Sequence, residues 1–153
     1  MQSFRDNEGR TWAVAVDVAS IKRARALAGF DLAGVLDRRE DVDRLARDPV
    51  LLVDVLYAVC KPEADSRGVS DEDFGRAMAG DALEHAVNAL VEAIVSFSPN
   101  PRVRAMHRLA LAKARTAETK ALDALERGFE ARVDRELEAA LGKLGDSSGS
   151  LQG

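Results

Sequence analysis

The chain is poor in aromatic residues and in cysteine. Aromatic side chains make up 5% of its 153 residues, against 46% hydrophobic residues overall, so alanine, leucine and valine must fill most of the core. Such short side chains let helices pack closely. The single cysteine, Cys60, excludes an internal disulfide. Because Cys60 follows the apolar run 50–59, we expect a buried, unreactive thiol of the kind found in a reducing cytoplasm.

Long apolar runs and targeting signals are also missing. No stretch approaches the roughly 18 apolar residues that cross a bilayer, and no basic segment followed by an apolar one opens the chain. The sequence therefore predicts a soluble cytoplasmic protein with no membrane partner. A chain of 153 residues can bury a substantial core without disulfides or metals, which indicates one domain.

Residues that carry chemistry are scarce. There are two histidines, His85 and His107, and neither has a second ligand at the helical spacing that a zinc site needs. The acidic run 71–73 is typical of the first turn of a helix, where carboxylates complement the helix dipole. No glycine-rich phosphate loop or nucleophile elbow is present. We therefore predict that the protein is not an enzyme and has no catalytic residues, metal or cofactor.

The net charge of −4 conceals an asymmetry. Residues 1–100 hold 12 basic and 18 acidic side chains, whereas residues 101–153 hold 10 and 8. Such a basic stretch could contact phosphates or an acidic protein, although a solvated helix face is the better interpretation. No aromatic residue interleaves the bases, which disfavours nucleic acid as a partner. The candidate basic patch comprises Arg102, Arg104, Arg108, Lys113 and Arg115.

Hydrophobic spacing changes once along the chain. Around a turn-forming segment at 6–9, the residues Trp12, Val14, Val16 and Val18 alternate with polar or small ones, which predicts a β-hairpin. Two strands alone are marginal in water, so the hairpin needs either a third strand at 30–32 or a helix beneath its apolar face. All later spacing is helical.

Capping residues, prolines and glycines divide the helical part of the sequence. A first helix is predicted at about 19–28, with Ser20 near its start, and one or two helical turns lie within 34–47. Asp48 and Pro49 are predicted to begin a buried helix. A surface loop from Pro62 to Gly68 is predicted to end it. Ser70 caps the next helix, and a strongly amphipathic helix follows from Asp81 to an elbow at 98–101.

The last long segment contains an apolar stripe. Neither proline nor a polar break interrupts residues 102–143, so helix is expected throughout. The stripe repeats in steps of three or four, which suits packing on another helix, either in this molecule or in a partner or second copy. Leu144 continues the pattern, and the predicted partner-binding residues are Leu122, Leu125, Phe129, Val133, Leu137 and Leu141.

Together these signals predict a mainly α fold. A β-hairpin of two or three short strands packs on a helical bundle in residues 1–100. A long C-terminal helix occupies residues 101–145, either within the same domain or projecting from it. Residues 146–153, rich in serine and glycine, are expected to form a disordered tail.

Several segments carry a family resemblance. The chain resembles small proteins encoded in the tail modules of tailed bacteriophages and prophages, the tail assembly chaperones, over roughly residues 4–97. The motifs behind the resemblance are Phe4-x-Asp6-x-x-Gly9-Arg10-x-Trp12, Ala19-x-Ile21-Lys22-Arg23, Asp48-Pro49 with Leu52-Val53-Asp54-Val55-Leu56-Tyr57, Val69-Ser70-Asp71-Glu72-Asp73-Phe74, and Gly80-Asp81-Ala82-Leu83.

The resemblance implies a non-enzymatic factor in the host cell cytoplasm. It would hold the tape measure protein, or unassembled tail tube subunits, through apolar helical stripes until the tail is built. The alternative is a structural virion protein, such as a head-tail connector or tail completion factor, that forms an oligomeric ring through the same stripe. A homo-oligomer fits either function, and a nucleic-acid binder ranks below both.

Overall fold

A computed structural model of the chain describes residues 1–149. The predicted mainly helical fold, with an N-terminal antiparallel hairpin and a long C-terminal helix, is confirmed. The elements are strands β1 (Gln2–Arg5) and β2 (Thr11–Val14), a 3₁₀ turn (Val35–Asp37), and helices α1 (Val18–Ala28), α2 (Arg39–Arg47), α3 (Pro49–Arg67), α4 (Asp71–Arg76), α5 (Asp81–Phe97) and α6 (Pro101–Gly149).

Two compact units make up the chain. The first contains residues 1–107, with the hairpin, α1 to α5 and the first turns of α6, and the second begins at Arg108. The division therefore falls inside α6 and not at the proline elbow that the sequence suggests. Within the described residues, no helix is both long enough and apolar enough to cross a membrane.

A buried carboxylate organises the hairpin. The two strands pair with Phe4 opposite Trp12, and Asp6 begins the turn between them. One Asp6 oxygen accepts the backbone N–H groups of Glu8 and Arg10 at 3.0 and 2.9 Å, and the other accepts Arg10 Nε and the indole N–H of Trp12, both at 2.8 Å. The carboxylate thus holds the turn closed and fixes the orientation of the fully buried Trp12.

The possible third strand does not form. The hairpin instead packs on helices, β1 against α5 and β2 against α3. Of the two alternatives that the sequence left open, a third strand or a helix beneath the apolar face, the structure has the helix. Phe30 and Leu32 are buried in irregular chain. The guanidinium of Arg38 donates hydrogen bonds to the backbone carbonyls of Asp31 and Ala33, both at 2.7 Å. These carbonyls are therefore bonded to a side chain and not to a neighbouring strand.

Helix α1 begins within one residue of its predicted start. Its cap is Asp17, which accepts the backbone N–H of Ser20 at 2.7 Å, while the Ser20 hydroxyl accepts the N–H of Asp17 at 2.8 Å. This reciprocal pair is a capping box. Ser20 is therefore the partner of the cap, in the first turn of the helix, as its predicted place near the start requires.

Helix α3 contradicts the predicted loop at 62–68. It begins as expected, with Asp48 accepting the N–H groups of Val50 and Leu51, but it continues through Pro62 to Arg67. Proline at 62 has no N–H for the carbonyl of Ala58, four residues earlier. Arg23 on α1 replaces that donor, because its Nε donates to the Ala58 oxygen at 2.9 Å and its Nη2 to the Val59 oxygen at 3.3 Å.

The remaining helix starts follow the sequence. The Ser70 hydroxyl accepts the backbone N–H of Asp73 at 3.1 Å and caps α4, and Gly80 adopts a positive φ of 56° before α5. Helix α6 is continuous to Gly149, so residues 146–149 extend the helix where a disordered tail was predicted. Adding residues to an existing helix requires no new nucleation. The rest of the predicted tail, 150–153, lies outside the described residues.

Candidate protein-binding surface

The predicted stripe lies in the second unit, on α6. Its large apolar side chains are exposed in the chain, from 54% for Leu122 to 71% for Leu125, and Phe129 is 68% exposed. Val133 is partly covered, while Leu137 and Leu141 are exposed. At 3.6 residues per turn these six positions share one face of the helix.

The exposed face of the stripe is large enough to bind another protein. Six side chains of Leu, Val and Phe that are mostly in water amount to several hundred Å², roughly the largest apolar patch of a typical monomer, and such patches commonly bind other proteins. The stripe contains no buried polar group that would orient a small molecule. What the face can do is bury itself against another apolar helix or sheet.

A second apolar surface lies within residues 1–107. It is a groove of about 460 Å³ between the 3₁₀ turn, α2, α3 and α5, and Glu84 is the one charged residue in its lining. Val87, Leu90 and Ile94 of α5 line this groove. Val42 and Leu45 of α2 line it as well.

Sequence reasoning missed the α2 side of this groove. The segment 34–47 reads as charged and short, and its charges obscure the apolar pair at 42 and 45. Their spacing of three was the available signal, because residues i and i+3 lie on the same side of a helix. Val42 is 38% exposed, so α2 presents part of its apolar face to solvent.

The candidate basic patch divides between the two units. Arg102 and Arg104 belong to the first, and Arg108, Lys113 and Arg115 to the second. The guanidinium of Arg104 donates to the backbone carbonyl of Ser98 at 2.6 Å, where it stabilises the elbow before α6. Arg102, Arg108, Lys113 and Arg115 are exposed, as a solvated helix face requires.

The two histidines and the acidic run 71–73 are the groups that the sequence offers as metal ligands. His107 Nε2 lies 3.3 Å from Asp37 Oδ1, and His85 is exposed on α5. In the acidic run that opens α4, Glu72 and Asp73 pair with Arg76 at 2.6 and 3.4 Å. In the part of the chain that the structure describes, no three His, Cys, Asp or Glu residues are arranged to hold a metal ion.

Cys60 is buried beside the hairpin. Its Sγ lies 3.7 Å from the backbone carbonyl of Ala13, and burial raises the pKa of the thiol to about 12. A thiol with such a pKa is almost entirely protonated at neutral pH and is a poor nucleophile. The predicted buried, unreactive cysteine is therefore what the geometry favours.

Comparison with known proteins finds no similar protein. No protein family model, curated protein or solved structure matches the chain.

Proposed function

We propose that the protein is a non-enzymatic, cytoplasmic assembly factor of the tail chaperone kind. It binds an apolar helical segment of the tape measure protein, or of tail tube subunits, and keeps that segment from aggregating before the tail is built. The single observation that supports this proposal is the exposed stripe on α6, from Leu122 to Leu141.

The chemistry of the stripe suits such a client. A helix with an apolar face buries it by laying that face along a second apolar helix, with anchors at steps of three and four. The surrounding charged residues of α6 keep the complex in solution. The second unit carries as many basic as acidic residues, eight of each, so the client is selected by its apolar face and not by net charge.

The test replaces three stripe residues together. The variant Leu125→Ser, Phe129→Ser, Val133→Ser is co-expressed with the helical region of the tape measure protein encoded in the same genome, and co-purification is measured. We expect binding to be lost while the circular dichroism of the hairpin and α1 to α5 is kept, because residues 1–107 form a separate compact unit.

A matched control carries the same number of serines on the other side of α6. The variant Ala117→Ser, Ala124→Ser, Ala131→Ser costs the helix more propensity than the stripe variant does, because alanine is the best helix former while Phe and Val are close to Ser. Its exposed positions lie away from the stripe. It should still bind. Loss of binding in both variants, or complete unfolding of the stripe variant alone, would contradict the proposal. A stable ring of defined mass that ignores the tape measure protein would instead support the structural virion protein.

A further inference from the structure

A second apolar hollow adjoins the groove in the first unit. It has a volume of about 320 Å³ and lies between α3, α4 and α5. Leu83 of α5 lines both the groove and this hollow, so the two form one surface, which we call the α5 cleft. Val42 in the groove is 38% exposed and Val50 in the hollow is 69% exposed. Both parts of the α5 cleft are therefore open to solvent.

The charged residues that line the α5 cleft in the described part of the chain are all acidic. They are Glu84 in the groove and Asp54 and Asp71 in the second hollow. The first unit as a whole carries 14 basic and 18 acidic side chains, so its net charge has the same sign as the cleft. An apolar surface lined by carboxylates attracts cationic groups.

Asp54 is an acid in the otherwise apolar stretch 50–59 of α3. It is partly buried, and among residues 1–149 no hydrogen bond or ion pair reaches its carboxylate. Burial and, after it, repulsion by Asp71 and Asp48 raise the pKa of Asp54 above its ordinary value. Charges inside proteins are usually paired. The fold therefore leaves in the α5 cleft a negative charge that a partner can neutralise.

We infer that the α5 cleft binds a helical segment of another protein in which lysine or arginine side chains flank an apolar face. The apolar side chains fill the two hollows, and the cations beside them reach the carboxylates of Asp54, Asp71 and Glu84. Opposite charges attract more strongly at a partly buried site than in bulk water. The charges of the cleft therefore select a basic partner over a neutral or acidic one.

The size of the α5 cleft favours a polypeptide over a small molecule. The groove alone, at about 460 Å³, is within the roughly 300–1,000 Å³ range of small-ligand sites, but the surface continues past Leu83 into the second hollow. A helix with large apolar side chains at steps of three and four can fill both hollows at once. This inference goes beyond the proposed function, because the stripe lies on the second unit and its residues are uncharged.

Binding of two matched peptides to the full chain tests the chemistry of the partner. Both peptides are helical, about 18 residues or five turns long, with leucines on one face. The positions beside the leucines hold lysine in one peptide and glutamine in the other. The chain carries Leu125→Ser, Phe129→Ser, Val133→Ser, so that the stripe cannot hold the probe. By fluorescence anisotropy, we expect the lysine peptide to bind at least about tenfold more tightly.

Neutralising the carboxylates of the cleft locates the preference. In the same background, Asp54→Asn, Asp71→Asn, Glu84→Gln keeps the shape of the side chains but removes their charge. The lysines then meet no carboxylate, so the Kd of the lysine peptide should rise to that of the glutamine peptide. Equal Kd values for the two peptides before this change would overturn the inference.

A matched control removes the same charge elsewhere in the first unit. Glu8→Gln, Glu40→Gln, Asp65→Asn changes exposed residues that line neither hollow, and this variant should keep the preference for lysine. If it loses the preference to the same extent, the net charge of the unit is responsible and the inference is wrong.

Stability separates a binding role of Asp54 from a structural one. The single variant Asp54→Asn removes a partly buried charge whose charged neighbours, Asp71 and Asp48, only repel it. Its urea midpoint should therefore equal or exceed that of the wild type, while its binding of the lysine peptide weakens. A midpoint clearly below that of the wild type would show that the carboxylate serves the fold, and the inference would fail.

The inference and the proposed function fail separately. If the lysine peptide binds the wild type but not the stripe variant, the α5 cleft is not its site and only the inference is refuted. If the stripe variant discriminates between the peptides but the wild type captures no tape measure helix, only the proposed function is refuted. Self-association of the chain that Asp54→Asn, Asp71→Asn, Glu84→Gln abolishes would identify a second copy as the occupant and would also overturn the inference.

Discussion

The arginine that supports the proline in α3 gives the sharpest test of the fold. Arg23 donates to the carbonyls of Ala58 and Val59, and the Ala58 carbonyl is the one that Pro62 leaves without its helical N–H donor. Ala58 is fully buried with Arg23 in place, so its carbonyl depends on the guanidinium for a hydrogen bond. Substituting Arg23 with Met removes the guanidinium but keeps much of the apolar stem.

The magnitude follows from the unsatisfied carbonyl. Leaving a buried acceptor without a partner costs about 1–3 kcal/mol, so we expect Arg23→Met to lower the free energy of unfolding by about 2 kcal/mol. In a Pro62→Ala background, the new N–H of residue 62 can bond to the Ala58 carbonyl. There the same substitution should cost about 1 kcal/mol or less, a coupling of about 1 kcal/mol between the two sites.

Urea unfolding measures the free energy of unfolding of the wild type, the two single variants and the double variant. The four values form a double-mutant cycle. Tryptophan fluorescence reports on the first unit because Trp12, the one tryptophan, is fully buried there. Equal slopes against urea are required for the free energies to be comparable. If Arg23→Met costs the same in both backgrounds, within about 0.3 kcal/mol, the arginine does not replace the missing donor of Pro62 and the reasoning fails.

Three further predictions concern buried polar groups. Asp6→Ala should lower the free energy of unfolding by about 3 kcal/mol, because it leaves the Trp12 indole N–H and the N–H groups of the hairpin turn without their acceptor. A loss under about 1 kcal/mol in urea unfolding would contradict this role. Burial alone would raise the pKa of Asp6, but hydrogen bonds from Trp12 and Arg10 outweigh it and hold the pKa below 3.8. The stability that the charged Asp6 contributes is therefore present above its unfolded pKa and is lost as the pH falls through the lower folded pKa. The urea midpoint of Asp6→Asn should consequently fall less than that of the wild type between about pH 5 and pH 2. The Cys60 thiol should react with a thiol reagent at pH 8 only as fast as the unit opens, and reaction at the rate of the urea-unfolded chain would refute its burial.

The sequence by itself determined those features whose causes lie within a few residues. The hairpin follows from alternation around a turn, the starts of α3 and α4 from Asp48 and Ser70, and the continuity of α6 from the lack of a break. The stripe is visible for the same reason, since all its members belong to one helix and the period of the helix alone brings them to one face. Local spacing is sufficient there.

The tertiary structure alone decided what depends on distant partners. Pro62 reads as a helix end until Arg23, on another helix, supplies the missing donor. Residues 30–32 are a possible strand in the sequence, but Arg38 donates to the carbonyls of Asp31 and of Ala33 just beyond them. The exposure of Leu125 and Phe129 is likewise invisible in the sequence, because helical spacing shows which side chains share a face but not whether anything covers it. Hydrogen bonds and burial between segments far apart in the chain depend on how the elements pack, and no local pattern records that packing.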